Sequence, residues 1–187
     1  MEYRETLTGF KWLAKSKGLT VGDEEAIGYC VDAETVNDKD GISAALVLTQ
    51  LTSELKSEGR TLLDLLEEIW IRHGYHGTEQ ISVRVDDMTQ IAAVLEALRI
   101  NPPVKIAGFQ VITTDDLMKP KDKLPPTNAV RIWLENDIRV IIRPSGTEAK
   151  LKCYLEVITR KGAAEAKEIL DQLRIPLTNL LISGLAG

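Results

Sequence analysis

Val130-Arg131-Ile132-Trp133-Leu134, the turn Glu135-Asn136-Asp137, and Ile138-Arg139-Val140-Ile141-Ile142-Arg143 form the stretch that decides the fold. Apolar and polar residues alternate in the first segment, the period of a strand with one face on a core. Asn136-Asp137 supplies residues that tolerate a tight turn, so the second segment is the returning strand of a hairpin. Directly after it runs Pro144-Ser145-Gly146-Thr147-Glu148-Ala149, and then Lys150-Leu151-Lys152-Cys153-Tyr154-Leu155-Glu156-Val157. Leu151, Cys153, Leu155 and Val157 fall on one face of that next strand, with Lys150, Lys152 and Tyr154 on the other. Between the strands, the Arg143 guanidinium, the Ser145 and Thr147 hydroxyls, the loop amides around Gly146 and a following ammonium gather within ten residues. Such a set describes an anion site, most simply for phosphate. A polar turn with incidental charges satisfies the same composition.

Outward from this core the pattern is mixed. Ile81, Val83 and Val85 alternate as a strand, and Asp87 caps a helix carrying Ile91, Val94, Leu95 and Leu98 that Pro102-Pro103 stops. Val104 to Ile112 reads as a strand interrupted at Gly108, and Asp115 to Asn128, with three prolines, reads as an exposed loop. Ala163 to Leu173 is helical, and Pro176 kinks or restarts the tail. Residues 77–187 therefore read as a β-α-β-β-β-α domain of the α+β class.

Residues 1–76 differ. Gly9 to Lys17 suits a brief helix, and Ala26 to Val31 a short strand. Asp38 is a reasonable N-cap for a helix with Ala44, Leu48, Leu51 and Leu55 on one stripe. Thr61 and Asp64 resemble a capping box before Leu62, Leu65, Leu66, Ile69 and Trp70. Two strong helices with little strand to cover them look like a partial α/β domain, bounded at Gly74-Tyr75-His76-Gly77.

Bulk properties narrow the class. The 187 residues are 44% hydrophobic and 27% charged, ordinary for a globular protein. A net charge of −5 without a basic run argues against nucleic-acid binding and suits a small anionic ligand met by a local cationic pocket. Cys30 and Cys153 are isolated, and no Cys/His cluster with His73 or His76 has metal-ligand spacing. No apolar run reaches membrane length, so membrane partners are not expected and a cytoplasmic location is. Ser145 makes a poor nucleophile, since no His or other base is spaced to activate it.

Four stretches together resemble the α-D-phosphohexomutase family, which interconverts sugar 1-phosphates and 6-phosphates. Arg143-Pro144-Ser145-Gly146-Thr147-Glu148 is similar to the phosphate-binding loop of its fourth domain. Glu24-Glu25-Ala26-Ile27-Gly28-Tyr29 resembles the sugar-recognition loop of its third domain. Thr6-Leu7-Thr8-Gly9-Phe10-Lys11 resembles another third-domain substrate loop, and Asp38-Lys39-Asp40-Gly41 the charged turn opening the next helix. The combination looks closest to the phosphoglucomutase-2-like branch, which includes phosphopentomutases.

The resemblance implies that residues 1–76 are the back part of domain 3, and 77–187 a domain 4 of TATA-binding-protein-like topology. It implies phosphate ligands Arg143, Ser145, Gly146, Thr147 and Lys152, and sugar-site residues Thr8, Gly9, Glu24, Glu25 and Lys39. Lys39 also assists proton transfer in this reading. The acidic balance argues against a DNA role for the fourth-domain topology. The family's phosphoserine and its Asp-rich magnesium loop have no counterpart in the sequence. A C-terminal fragment is thus expected, without nucleophile or metal site, and inactive without the preceding domains. Mg2+ and a sugar bisphosphate activator are expected for the whole enzyme. Many relatives carry Ser where Ala26 stands, which keeps a pentose phosphate open as substrate. The alternatives are a phosphopentomutase or sugar-bisphosphate synthase on this scaffold, or a non-catalytic phosphate-binding module.

Overall fold

A computed structural model describes residues 2–24, 27–85, 87–121, 124–146 and 148–183. The chain clusters into two units, residues 1–67 and 68–187, and the division falls within a helix.

The first unit opens with a single helical turn, α1 (Phe10–Leu13), shorter than the Gly9–Lys17 helix expected. Strands β1 (Gly22–Glu24) and β2 (Gly28–Cys30) then form an antiparallel hairpin in the register Gly22↔Cys30 and Glu24↔Gly28. Strand β1 was not expected, because two of its three residues are charged. Phe10 and Cys30 are buried here.

Helix α2 (Gly41–Ser57) starts at Asp40, whose carboxylate accepts from the Ile42 amide at 3.0 Å and the Ser43 amide at 3.1 Å. The expected cap, Asp38, instead accepts from the amide of Lys39. Asp40 wins because its own amide donates to the Tyr29 carbonyl at 2.8 Å, which fixes the helix start beside β2. Hydrogen bonds from Ser43 and the helix amides hold its carboxyl below the usual range.

Helix α3 (Leu62–His73) begins with the reciprocal capping box: the Thr61 amide donates to Asp64 Oδ2 at 2.7 Å, and the Asp64 amide to Thr61 Oγ1 at 3.2 Å. Leu55 is the one buried residue of α2, and α3 has none. Ile42 is 84% exposed and Leu63 74%, with Leu46, Val47, Leu48 and Ile71 also open. Among the described residues of this unit the strands number two. Helices this apolar need a covering surface, and the hairpin does not supply one.

The second unit is a six-stranded antiparallel sheet in the order β3-β8-β7-β6-β5-β4. Its elements are β3 (Tyr75–Arg84), helix α4 (Met88–Ile100), β4 (Lys105–Ile106), β5 (Phe109–Asp116), β6 (Val130–Leu134), β7 (Ile138–Pro144), β8 (Lys150–Thr159) and helix α5 (Ala163–Ser183). The α+β architecture is as expected, though the strands between the helices outnumber the three of the β-α-β-β-β-α shorthand. Strand β3 starts at Tyr75, within the Gly74-Tyr75-His76-Gly77 stretch, and runs ten residues. Alternation hides this start because Gly77 contributes no side chain to the core face. A Cβ at Gly77 would lie 2.9 Å from the Ala166 Cβ on α5, closer than packed carbons approach. Gly77→Ala is therefore expected to destabilise this unit by about 1–3 kcal/mol, read from the urea midpoint; an unchanged midpoint would contradict the close approach.

The core lies on one side. Val130, Ile132, Leu134, Ile138, Val140, Ile142, Leu151, Cys153, Leu155 and Val157 are buried against α4 (Ile91, Val94, Leu95, Leu98) and α5 (Ala166, Leu170, Leu173, Leu177, Leu181). Helix α5 continues through Pro176 to Ser183, where a kink or restart was expected. Leu173, Leu177 and Leu181 are all fully buried across the proline, so packing outweighs the lost backbone hydrogen bond. Asn136 and Asp137 take positive φ of 62° and 54°, as the hairpin turn requires.

The segment read as an exposed loop is partly built in. Strand β5 extends to Asp116, and Asp115 and Leu117 are buried. Asp115 receives Lys121 Nζ at 2.9 Å and Arg131 Nη2 at 3.2 Å. Burial pushes its carboxyl up, but the two cations outweigh that and leave it below the usual range. A carboxyl depressed on folding stabilises above its unfolded pKa, and that contribution fades as pH falls through the folded value. The second unit should accordingly lose stability under acid below about pH 4, and Asp115→Asn should flatten that loss in denaturation curves taken across pH. Parallel curves for the two proteins would contradict the assignment.

Candidate functional site

The sheet face away from the helices carries the polar halves of the strands. The register sets Arg143 of β7 directly opposite Lys152 of β8, and Lys152 opposite Ser82 of β3. Like charges facing across an antiparallel pair repel. Other cations of this face are neutralised. Arg131 pairs with Asp115, Arg139 with Glu156 at 2.7 Å, and Lys150 with Glu148 at 2.8 Å. Lys150 is thus engaged by its own neighbour in the loop. Neither Arg143 nor Lys152 has a carboxylate within 4.0 Å among the described residues. Arg143 instead lies over the ring of Tyr154, 5.3 Å from its centroid, and donates Nη2–H to the Tyr154 hydroxyl at 3.1 Å.

The loop joining β7 to β8 sits at the end of this cation pair. Its neck is closed by the Ser145 amide, which donates to the Lys150 carbonyl at 2.8 Å, and its far side is tied to β3 by the Val85 amide on the Ala149 carbonyl at 3.1 Å. Ser145 is 8% exposed, while Gly146 is open and a Cβ there would meet nothing. Thr147 lies outside the described residues. The Glu148 carboxyl is held low, chiefly by its hydrogen bond from Lys150. So Arg143, Ser145, Gly146 and Lys152 are brought to one end of two neighbouring strands. Cys153 faces the core, where burial pushes its thiol up to about 12, too high to serve as a nucleophile.

A second constellation lies in the first unit. Lys39 Nζ donates to Glu24 Oε1 at 3.0 Å, which joins two residues that the sequence presented fifteen positions apart. The Glu24 side chain is 10% exposed and the Lys39 side chain 56% exposed. Gly28 forms the floor beneath: a Cβ there would fall 2.9 Å from Glu24 Oε1 and 3.0 Å from Phe10 Cε2. Gly28, quoted in the sequence only as part of a motif, is required at that spot by packing. Gly9 takes φ 111° at the start of α1, with Thr8 exposed before it. Glu25 and Ala26 lie outside the described residues. In the second unit Arg143, Ser145, Gly146 and Lys152 share one strand end, and in the first Lys39 and Glu24 are joined, whereas Thr8 and Gly9 have no described contact with that pair. Tyr154 was placed on the correct face from the sequence, but its contact with Arg143 was missed; alternation reveals faces and not diagonal partners.

A helix pair with bare apolar faces, followed by a one-sided antiparallel sheet with a cation pair at a strand-end loop, defines an α/β protein of two units. Residues 81–174 match the family described as phosphoglucomutase/phosphomannomutase, C-terminal domain, and residues 1–73 match alpha/beta/alpha domain III of the same family. The chain belongs to the phosphoglucomutase/phosphomannomutase family. It is 47% identical over 168 residues to a probable phosphomannomutase of Haemophilus influenzae, covering 90% of this chain and 34% of that protein. A phosphoglucomutase of Staphylococcus haemolyticus is 35% identical over 175 residues, 82% of this chain and 32% of its own length. Among solved structures, the exocytosis-sensitive phosphoprotein pp63/parafusin of Paramecium, a phosphoglucomutase, has the same fold, with a TM-score of 0.60 over 86% of this chain and 30% of that one, at 19% identity. The chain spans about a third of the length of the curated relatives it matches.

Proposed function

We propose that this chain is the phosphate- and sugar-binding part of a phosphosugar mutase of the phosphoglucomutase/phosphomannomutase kind, which moves a phosphoryl group between the sugar 1- and 6-positions. The supporting observation is the pair Arg143 and Lys152, facing each other beside the Ser145-Gly146 loop with no carboxylate within 4.0 Å of either among the described residues. A dianionic phosphate relieves that repulsion, takes two N–H bonds from the guanidinium and accepts from Ser145 and the Gly146 amide. Thr147 completes the set by its place in the motif.

In the other unit Glu24 is suited to sugar hydroxyls, since an ionised carboxylate only accepts. Lys39 holds one carboxylate oxygen of Glu24, leaves the other for a hydroxyl, and is the group nearest to hand for moving a proton. Thr8, Gly9 and Glu25 border this end in the family pattern. The reaction proceeds through a phosphoserine and a sugar bisphosphate, and the bisphosphate serves as activator. Phosphoserine and Mg2+ belong, in this reading, to the other two thirds of the protein. Among the described residues no group of three His, Cys, Asp or Glu could hold a metal ion, and no helix is long and apolar enough to cross a membrane.

Calorimetric titration with glucose 6-phosphate, against glucose as control, tests the anion reading. Lys152→Met should weaken glucose 6-phosphate about tenfold, the equivalent of one charged hydrogen bond. Equal affinity for the sugar with and without phosphate would overturn it. The isolated chain should show no mutase turnover, and sustained turnover by the chain alone would contradict the division of labour.

A further inference from the structure

We propose that Tyr154 is a positioning residue for the anion clamp, acting on Arg143 and not on the anion itself; this rests on the phosphate reading above. Arg143 has a long side chain, and among the described residues no carboxylate on the open sheet face fixes its head. A free guanidinium would sample many rotamers, and binding an anion would then carry an ordering cost. Tyr154 removes that freedom in two ways. Its ring underlies the guanidinium at 5.3 Å, and its hydroxyl accepts one N–H at 3.1 Å. Two contacts from one rigid side chain fix both the position of the planar fork and its rotation.

The placement follows from the register. Arg143 is directly opposite Lys152, and Tyr154 is the next residue on that face of β8, the diagonal neighbour an aromatic ring can reach. Tyr154 is itself set in the interior of the sheet, between Gln80 of β3 and Ile141 of β7, so it is a firm support. The contact with Tyr154 uses the ring and one N–H, and leaves four of the five guanidinium donors for an anion. A carboxylate in the same role would hold Arg143 as firmly but would neutralise it and compete with phosphate. An aromatic hydroxyl orients the charge without cancelling it.

Inorganic phosphate, titrated against the chain by NMR, separates the possibilities. Tyr154→Phe keeps the ring and drops the hydroxyl; it should weaken phosphate about threefold, and Tyr154→Leu about tenfold. Arg143→Ala should weaken phosphate more than either. In the Arg143→Ala background the Tyr154 substitutions should add nothing, a coupling that a purely structural tyrosine would not produce. If Arg143→Ala weakens phosphate while Tyr154→Leu does not, the positioning role is wrong and the clamp stands. Equal losses from Tyr154→Leu with and without Arg143 also refute it. If Arg143→Ala leaves phosphate unaffected, the clamp itself fails.

Discussion

Arg143→Ala, made in the protein carrying all its domains, is expected to raise KM and lower kcat, and to cut kcat/KM by about two to three orders of magnitude. The loss has two parts. The first is the pair of charge-assisted hydrogen bonds that a guanidinium gives to a phosphate, worth together about 3–4 kcal/mol when the partner is held in place. The second is orientation. A mutase handles a substrate with phosphate at either end, so the clamp must fix one end while the other reacts, and a loosened clamp lowers the turnover step as well as binding. Stability should be nearly unaffected, because the described bonding of the Arg143 head is to Tyr154 alone, on the face away from the core. Arg143→Lys restores the charge and not the fork, and should recover only part of the loss. Steady-state kinetics with circular dichroism as the folding control decides the matter, and unchanged kinetics in a folded variant would refute the clamp.

The largest expected effect on stability comes from the helix behind the sheet. Leu173 of α5 is fully buried in the core behind the sheet, one turn before Pro176. Leu173→Ala removes buried methyl groups and leaves a cavity that the surrounding Leu170 and Leu177 cannot close, a loss of about 3–5 kcal/mol. Because Pro176 has already forgone one backbone hydrogen bond, α5 depends on this packing more than an uninterrupted helix would. Chemical denaturation should show the midpoint fall with little change in slope. A loss below about 1 kcal/mol would mean that the helix beyond Leu173 does not pack as described.

Much of the second unit was legible in the sequence because its chemistry is periodic. Strict alternation from Val130 to Leu134 and from Leu151 to Val157 identified both strands and their core face, and Asp87 marked the start of α4. Periodicity failed where a residue serves shape and not polarity. Gly77 interrupts the apolar pattern of β3 although it faces α5. Asp115 looks like a loop residue, and its burial depends on Lys121 and on Arg131, sixteen positions away. Asp38 and Asp40 are equivalent as sequence signals for a cap; the bond from the Asp40 amide to Tyr29, a tertiary contact, chose between them.

The site was legible as two lists of residues and not as an arrangement. That Arg131, Arg139 and Lys150 each have a carboxylate within 4.0 Å, while Arg143 and Lys152 have none among the described residues, depends on cross-strand register, which motif spacing does not contain. The Glu24–Lys39 pair likewise depends on the turn from β2 into α2. Gly28 is needed because Glu24 folds over it, a reason visible only once the hairpin is formed.

The apolar faces of α2 and α3 belong to the same reading. Ile42, Leu46 and Leu63 are exposed to a degree that a finished domain seldom tolerates, and the relatives are about three times the length of this chain. Under the function proposed above, those faces are covered by the rest of domain 3.

On the function proposed above, the loop from Arg143 to Lys152 recognises the phosphate of a phosphorylated sugar. Amide NMR of the chain titrated with glucose 6-phosphate reads that recognition residue by residue. The expected result is saturable shifts at Ser145, Gly146 and Lys152, absent with glucose and lost in Arg143→Ala. Shifts that appear equally with glucose, that survive Arg143→Ala, or that spare this loop altogether would contradict it.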